Sequence, residues 1–570
     1  MNASDSRLAK EGGGREFADS LDRLAGVWRT PASASRDLWA VLLILGICAA
    51  TAYLGAVHTR IFGHDIFVVL DGGWRILNGQ RPQVDFSPGI GSLALVLVAG
   101  GLKLAHNSVH GIGYASALLG GVAGLWGYAL GRRRMGWIPA ILAAMALALI
   151  GVAPYPLGWS PNMLSHAMSY NRYGYALLGL VMLEAFQRRA PDDRASELAR
   201  GISTGVVSVA LFFLKPSYGL VALGFAGSSV LLMRRERRRT IGMALGLVVA
   251  AAAMMAFLRF DFAAVWNDLQ LLAAARSTSL FWEFRWAVVK GLPEFLALAL
   301  LALFVGVIRR SREALLPSLE PLAIALLGLL GGALLLATNA QKDGYPLNAV
   351  LAILLVEQGH AAAKEYGAGA AAGFLRPDTV ILLLGLVCFA PTFSASASGL
   401  GYALRESRKN PSATEVVRFQ APHLSELLLY EVPEGTVADQ RSNGRVYVTY
   451  VNDGMDLIRK VSGPEETIYT LDLTNPFPYA LLRPPAHGGS TCMGVNHQFN
   501  DEHKPSPAWL FGSADIVMVP KRPSSDEMNT KALLRKYLAS VKAGYRLCAE
   551  SDWWELYKRP SNLAGCLIHR

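Results

Sequence analysis

Apolar stretches close to the length of a membrane span recur from residue 38 to residue 397 of this 570-residue chain and then stop. A helix needs about 20 apolar residues to cross the hydrocarbon core of a bilayer. Charged residues make up only 17% of the sequence, whereas soluble domains carry about 25%. The sequence therefore predicts a mostly α-helical bundle of membrane spans over 38–397, preceded by a cytoplasmic tail (1–37) and followed by a separate domain (398–570).

The net charge of +11 is concentrated at the ends of the apolar stretches. The clusters are Arg132–Arg134, Arg188 and Arg189 with Arg194 and Arg200, the run RRERRR (234–239), and Arg309, Arg310 and Arg312. Short basic clusters beside membrane helices mark cytoplasmic loops, whereas a nucleic-acid site needs a basic face or stripe. We therefore expect membrane lipids as partners and no nucleic acid.

One pair of apolar stretches conflicts with this charge pattern. If 88–105 and 109–131 both crossed the membrane, Arg132–Arg134 would lie on the external side. The weaker candidate is 88–105, which follows Ser87-Pro88-Gly89 and contains Lys103, although it is long enough to span. We predict that it lies in the membrane plane or re-enters, which leaves about eleven spans, a first external loop over 58–108 and an external C-terminal domain.

The C-terminal domain shows the patterns of a small α/β fold. Its strand-like runs are RVYVTYV (445–451), TIYTLDL (467–473) and DIVMVP (515–520). A helical stretch over 531–541 precedes a hairpin over 545–559, as the spacing of apolar and polar residues predicts. We therefore expect helices and a short sheet to pack together in this domain.

Five cysteines are divided between the two parts of the chain. Cys48 and Cys388 lie in apolar spans, where packing explains them. Cys492, Cys548 and Cys566 lie in the C-terminal domain, and an oxidising compartment would allow one disulfide among them. The pairing stays open, because spacing does not specify it.

The loop that follows the first apolar stretch is rich in charged residues. It reads HTRIFGHDIFVVLDGGWRILNGQRPQVDFS (58–87) and contains Asp65, Asp71, Asp85, Arg75 and Arg81. Asp65 lies only a few residues after the span, so its carboxylate is expected at the membrane surface, where partial desolvation suits a general base. The alternative is that Asp65 and Asp85 cap the next helix and pair with Arg75 or Arg81.

Apolar residues at helical spacing follow Asp65. Phe67, Leu70, Trp74 and Leu77 lie three or four positions apart. Their spacing predicts an amphipathic helix over 66–78 that lies on the membrane, with Trp74 at the interface between lipid and water.

Three cations lie at external helix ends in this topology: Arg172, Lys215 and Lys342. A cation at such a position could bind phosphate, or could anchor the helix end among lipid headgroups. The segment RSTSLFWEFRW (276–286) combines charged groups with aromatic rings. These rings would suit sugar binding, although tryptophans at a membrane interface explain the same pattern.

The first loop also carries the pattern D-x(13)-G-x(5)-DF-x-P, formed by Asp65, Gly79, Asp85, Phe86 and Pro88. This pattern resembles the first external loop of the C-type (GT-C) glycosyltransferases, and is most similar to their bacterial branch of galacturonosyl, aminoarabinose and mannosyl transferases. The architecture is similar too: a large first external loop, a long helical bundle and a C-terminal external domain.

The resemblance implies a multi-pass glycosyltransferase of the bacterial cytoplasmic membrane. It would move a sugar from a polyprenyl-phosphate donor to a lipid or glycan acceptor of the cell envelope, such as lipopolysaccharide. The resemblance gives Asp65 the role of catalytic base. Many members have Asp-Glu at this point, where this chain has Asp65-Ile66, so Asp71 or Asp85 would serve as a supporting acid. The donor phosphate would be bound by Arg172, Lys215 and Lys342.

No cofactor is expected. Some members of the family use a divalent metal, but the acids of this sequence do not cluster, so no metal site is predicted. The alternatives are a polysaccharide polymerase or ligase and a non-enzymatic lipid or solute transporter. A transporter would place polar groups at mid-bilayer depth in broken helices, whereas here the charges gather at helix ends, so the transferase is the preferred interpretation.

Overall fold

A computed structural model confirms the predicted fold class, a mostly helical bundle with a small C-terminal α/β domain. The described residues are 33–186, 194–232, 237–276, 279–311, 313–339, 341, 343–365, 377–409, 411, 416–430, 444–523 and 527–568. The helices up to residue 406 are Ala34–Leu54, Ile66–Leu77, Ser92–Leu104, Gly111–Gly131, Trp137–Val152, Ser169–Phe186, Arg194–Leu214, Pro216–Leu232, Arg237–Phe257, Phe262–Ala275, Leu280–Arg310, Leu315–Ser318, Glu320–Thr338, Leu347–Glu365 and Pro377–Glu406. Those of the C-terminal domain are Gly444–Val461, Phe477–Ala480, Pro507–Phe511 and Glu527–Gly544.

Within these residues, six helices are long and apolar enough to cross a membrane: Ala34–Leu54, Ser196–Leu214, Arg237–Phe257, Leu280–Arg310, Glu320–Thr338 and Pro377–Glu406. The interior of the whole bundle is filled by small and branched apolar side chains such as Ala144, Leu147 and Val350. Large apolar side chains such as Leu245 and Val248 stay exposed on the outside of the bundle, where lipid would cover them. The chain is therefore a multi-pass membrane protein.

The two ends of the bundle carry different groups. The helix Gly111–Gly131 starts beside the C-terminal domain and leads to the first basic cluster at its other end. There, Arg134 pairs with Glu197 at 3.1 Å, and Arg239 lies 3.6 Å from the same carboxylate. Two of the basic clusters thus meet at the end of the bundle that lies away from the C-terminal domain.

The segment that conflicts with the charge pattern forms a helix of 13 residues, Ser92–Leu104. At 1.5 Å per residue it reaches about 20 Å, less than the roughly 30 Å of a hydrocarbon core. Before this helix, the Ser87 amide donates to the Gly489 carbonyl over 2.9 Å. After it, the Val109 amide donates to the His423 carbonyl over 3.0 Å. Both ends therefore contact the C-terminal domain, as is required of a segment that does not cross.

The C-terminal domain is built on a four-stranded sheet in the order β1-β2-β4-β3. The strands are β1 (Ile468–Thr470), β2 (Ile516–Pro520), β3 (Arg546–Glu550) and β4 (Trp554–Lys558), of which β1 and β2 are parallel and the other pairs antiparallel. Alternate residues of β2 enter different cores. Ile516 and Met518 pack in the core that includes the first loop, whereas Val517 and Val519 pack in the domain's own core.

The run RVYVTYV (445–451) is not a strand, and that prediction is wrong. It forms the start of the helix Gly444–Val461. The buried residues of this helix include Tyr447, Val448, Val451, Met455 and Ile458. Because this spacing follows the helical period well beyond residue 451, burial of one face overrides the strand preference of β-branched and aromatic residues.

The helix expected on the membrane surface, Ile66–Leu77, is covered by protein. Phe67 is fully buried in the core shared by this helix, Ser92–Leu104 and the C-terminal domain. The indole N–H of Trp74 donates to the Arg483 carbonyl over 2.8 Å. Trp74, which was expected at the membrane interface, thus contacts the C-terminal domain.

Cys548 and Cys566 form a disulfide, with Cα atoms 4.7 Å apart. It joins β3 to the C-terminal end of the chain. Cys492, the third cysteine of this domain, is free.

Candidate functional site

Asp65 stands at the N-cap position of the helix Ile66–Leu77. Its side chain makes no capping hydrogen bond to the described residues of that helix, and one of its oxygens lies 3.1 Å from His64 Nε2. The side chain is 23% exposed. A capping acid accepts hydrogen bonds from backbone N–H groups. Because Asp65 accepts none from the described residues of its helix and is partly exposed, its carboxylate is accessible to a ligand.

The C-terminal domain lies over Asp65. Burial, together with the Asp65 carboxylate, raises the pKa of Cys492 to about 12. Burial also raises the pKa of Tyr447, and the carboxylates of Asp472 and Asp65 add to this effect. Residues from two distant parts of the domain therefore face the same carboxylate, and the Cys492 thiol stays protonated at neutral pH.

Tyr170 connects Asp65 to a lysine. It lies in the first turn of the helix Ser169–Phe186, within electrostatic reach of Asp65. Lys215 Nζ lies 5.3 Å from the centroid of the Tyr170 ring, a distance typical of a cation–π contact. Tyr170 therefore contacts the Lys215 ammonium group and lies within electrostatic reach of the Asp65 carboxylate.

Lys215 is one of three basic side chains that lie near one another here, with Arg276 and His497. Burial lowers the pKa of Lys215 to about 7, and the Arg276 guanidinium contributes to this shift. Burial also lowers the pKa of His497 in the C-terminal domain, with contributions from Arg276 and Lys215. Arg276 thus disfavours the charge of Lys215, and both disfavour the charge of His497. An anion bound among them would relieve that repulsion.

Two neighbouring residues add hydrogen-bond donors to this group. Arg276 donates to the backbone carbonyls of Ala337 and Thr338. The side-chain oxygen of Asn339 accepts from the Ser217 hydroxyl over 3.4 Å. The Asn339 amide nitrogen is buried and has no hydrogen-bond partner within the described part of the chain. A buried donor without a partner costs about 1–3 kcal/mol, so this amide is suited to a ligand oxygen.

Close backbone contacts hold the first loop against the Lys215 turn. A Cβ at Gly91 would lie 2.0 Å from the Leu214 carbonyl oxygen, so there is no room for a side chain. Gly89 has a φ of +64° and packs against Cys492, a backbone conformation that glycine adopts readily. The first loop therefore contacts both the Lys215 turn and the Cys492 segment.

The two other acids of the first loop have partners within the fold. Asp71 is fully buried, with Oδ2 2.8 Å from Arg75 Nε. Asp85 accepts from the Arg81 amide over 2.7 Å and pairs with Arg259 at 3.2 Å. The role of Asp71 or Asp85 as a supporting acid stays a prediction.

A further carboxylate, which no sequence pattern marks, approaches the first loop from the helix Phe262–Ala275. Asp268 accepts from the Ser87 hydroxyl over 2.6 Å. Burial raises the pKa of Asp268 to about 6. Its second oxygen has no hydrogen-bond partner among the residues that the structure describes.

Arg172 lies on another side of its helix. It follows Tyr170 by two positions, which is about 200° around the helix axis. Its guanidinium carbon lies 3.9 Å from the centroid of the Tyr155 ring. Lys342 falls outside the described residues. Asp65 and Lys215 thus each lie near Tyr170, whereas Arg172 lies over the Tyr155 ring. The phosphate-binding roles of Arg172, Lys215 and Lys342 stay predictions.

Other members of the site are residues that were not predicted from the sequence to belong to it. Tyr170, His497 and Asn339 are separated by more than 100 residues from one another, so no local spacing links them. Arg276 belongs to a segment for which membrane anchoring is the favoured explanation. Within the described ranges, no three His, Cys, Asp or Glu side chains group in a way that could hold a metal ion.

No protein-family model and no curated protein matches this chain. Similar solved structures include ArnT from Cupriavidus metallidurans in the apo state, at 14% identity and a TM-score of 0.45, with 92% of this chain and 98% of that chain covered. They also include ArnT from the same organism bound to undecaprenyl phosphate, at 12% identity and a TM-score of 0.47, with 93% of this chain and 99% of that chain covered.

Proposed function

We propose that this protein is a membrane glycosyltransferase that transfers a sugar from a polyprenyl-phosphate donor to an acceptor of the cell envelope. One observation carries the proposal: the accessible carboxylate of Asp65 lies within electrostatic reach of Tyr170, whose ring centroid is 5.3 Å from Lys215 Nζ. The pattern of the first loop, which resembles C-type glycosyltransferases, supplies the chemistry that such an arrangement would serve.

In this proposal Asp65 accepts the proton of the acceptor hydroxyl as that oxygen attacks the anomeric carbon of the donor. The bond between the anomeric carbon and the phosphate oxygen breaks, and the polyprenyl phosphate leaves with the bonding electrons. Lys215, Arg276 and the Asn339 amide bind this phosphate and stabilise the charge that develops on it. The C-terminal domain covers the site and limits the entry of water, which would compete as acceptor.

The external position of the C-terminal domain is part of the proposal. The basic clusters that meet at the opposite end of the bundle support it, because such clusters favour the cytoplasmic side. The Cys548–Cys566 disulfide supports it too, because disulfides persist in oxidising compartments. An enzyme on that side has no access to cytosolic nucleotide sugars and needs a sugar donor that is available outside. A lipid-phosphate donor meets this requirement.

The glycan profile of the source bacterium tests the proposed function. Deletion of the gene should remove one glycosylated species from the envelope lipids or glycans, and expression of the wild-type chain should restore it, as read by mass spectrometry. An unchanged profile after deletion would contradict a transferase. Loss of an entire lipid or solute, with no species that lacks only a sugar, would favour the transporter.

Binding of the donor phosphate should weaken as the pH rises above about 7. Because the pKa of Lys215 is lowered to about 7, the lysine is charged below that pH and neutral above it. A bound phosphate favours the charged form, so binding takes up a proton at higher pH. We expect the affinity for a polyprenyl monophosphate to fall by up to about tenfold per pH unit between pH 7 and 9, measured with purified protein in detergent.

Lys215→Arg is the matched control, since a guanidinium stays charged throughout this range. Its affinity should be independent of pH above 7. His497, whose pKa is lowered, is neutral over the same range, so it does not contribute to the change of affinity with pH. If the affinity fell equally with pH in the wild type and in Lys215→Arg, another group would bind the phosphate.

A further inference from the structure

A cavity of about 280 Å³, lined by apolar and charged residues, opens near the start of the helix Ser169–Phe186. Its lining includes Tyr155, Trp159, Arg172, Glu294, Asp343 and Tyr345. Asp65, Tyr170 and Lys215 are not among the described residues that line it. The cavity is therefore separate from the site proposed for sugar transfer.

Arg172 forms the cationic wall of this cavity. The residue is only 2% exposed, and its guanidinium donates to the carbonyls of Tyr155 and Ile150. Its Nη2 atom is buried and lacks a hydrogen-bond partner in the described part of the chain. A buried guanidinium with one donor unused matches an anionic oxygen, above all that of a phosphate.

Two carboxylates, Glu294 and Asp343, line the same cavity. One oxygen of Asp343 accepts from the Gly344 amide over 2.7 Å. Among the described residues, neither carboxylate forms an ion pair with a lysine or arginine. The cavity thus offers one cation and two acids, which favours a ligand that carries both an anionic and a cationic group.

The wall positions are fixed by direct contact between loops. Gly158 has a φ of +78°, and a Cβ at this position would lie 2.1 Å from the Asp343 amide nitrogen. The segment that contains Tyr155 is therefore packed against the segment that contains Asp343. Arg172 and the carboxylates accordingly belong to one built cavity.

Exposed leucines near Glu294 show which kind of molecule reaches the cavity. Glu294 lies in the helix Leu280–Arg310, between Leu292 and Leu296, which are 45% and 53% exposed. Exposed leucines continue along this helix at Leu300 and Leu303, in the direction of Arg309. This surface is suited to acyl chains. A carboxylate beside such a surface is costly unless a cation pairs with it.

We propose that this cavity binds the headgroup of a membrane phospholipid that carries both a phosphate and a primary amine, the phosphatidylethanolamine class. The phosphate accepts from Arg172 Nη2, and the ammonium group lies between Glu294 and Asp343. The acyl chains lie along the leucines of the helix Leu280–Arg310. This site is independent of sugar transfer at Asp65.

Competition between two lipids tests the proposal. Purified full-length protein in detergent is mixed with equal amounts of phosphatidylethanolamine and phosphatidylglycerol of identical acyl chains, and the bound lipid is identified by native mass spectrometry. The wild type should retain phosphatidylethanolamine about tenfold over phosphatidylglycerol, as a charge-assisted hydrogen bond to the ammonium group allows. Equal retention of the two lipids would overturn the proposal.

Variants of the lining residues test whether the preference for phosphatidylethanolamine arises in this cavity. Glu294→Gln and Asp343→Asn should reduce the preference towards equality, whereas Glu283→Gln, an exposed acid of the same helix that does not line the cavity, should keep it. Arg172→Gln should reduce retention of both lipids. If Arg172→Gln fails to fold, the two acid variants still decide, because an unchanged preference in both refutes the site. Displacement of the lipid by soluble phosphoethanolamine at equal concentration would refute the role of the acyl chains.

Discussion

Replacing Asp65 by asparagine should reduce sugar transfer by about 10²- to 10⁴-fold, the range that a general base contributes, while the protein stays folded. Asparagine keeps the shape of the side chain and removes the negative charge that accepts the proton. Because Asp65 makes no capping hydrogen bond to the described residues of its helix, its replacement should cost little stability. Transfer is measured in membranes that contain equal amounts of wild-type and variant protein, and envelope glycans are compared in the deletion strain.

Asp85→Asn in the same loop is the matched comparison. The Asp85 carboxylate is paired with Arg259 and bound by the Arg81 amide, so this change should affect the fit of the loop more than the chemistry. We expect transfer by Asp85→Asn to stay within about tenfold of wild type, the effect of losing one charge-assisted hydrogen bond. A normal glycan profile from stably expressed Asp65→Asn would refute Asp65 as the base. A larger loss in Asp85→Asn would give that role to Asp85.

The sequence could single out Asp65 because the relevant signal is local. An acid directly after a membrane span, followed by a helical pattern, can be found without any knowledge of the fold. Lys215 is a candidate for the same reason, because a lysine between two apolar stretches is unusual. The role of the remaining groups depends on which helix ends meet in space. Arg276 and His497, more than 200 residues apart, are brought together only by the packing of the C-terminal domain on the bundle.

For residues 88–105, the charge pattern and hydrophobicity favour different topologies. Residues 88–105 are apolar enough to suggest a span, yet the basic cluster that follows residue 131 argues against one. The structure has a short helix there, with both ends against the C-terminal domain. By contrast, local strand preference misled at 445–451, because the burial of one helix face extends beyond that window and dominates.

The expectation for Trp74 shows what a single sequence does not reveal. An amphipathic helix with a tryptophan has the same pattern whether its apolar face meets lipid or another domain. Here the helix Ile66–Leu77 is covered by the C-terminal domain, and Trp74 donates to the Arg483 carbonyl. The first loop therefore forms the interface between the bundle and the C-terminal domain, and its remaining charged residues stabilise that interface.

Arg75→Met should be the most destabilising single change in this interface, lowering the free energy of unfolding by about 3–5 kcal/mol. Arg75 is fully buried, pairs with Asp71 at 2.8 Å, and donates to the carbonyls of Ala486 and Gly488. Methionine keeps the apolar volume but leaves the Asp71 carboxylate buried without a counter-ion. It also removes two hydrogen bonds to the C-terminal domain. Denaturant unfolding in detergent, followed by tryptophan fluorescence, measures the change.

Arg81→Met serves as the control in the same loop. The Arg81 guanidinium lies over the Phe257 ring at 4.7 Å and is partly exposed, so its loss should cost less than about 1 kcal/mol. Equal unfolding midpoints for Arg75→Met and Arg81→Met would show that the buried pair of Arg75 and Asp71 does not stabilise the interface. Because Asp65 starts the helix that contains Arg75, transfer by Arg75→Met should fall in proportion to the folded fraction. Asp65→Asn, in contrast, should lose transfer at full stability, which separates the chemistry of the acid from the support of its loop.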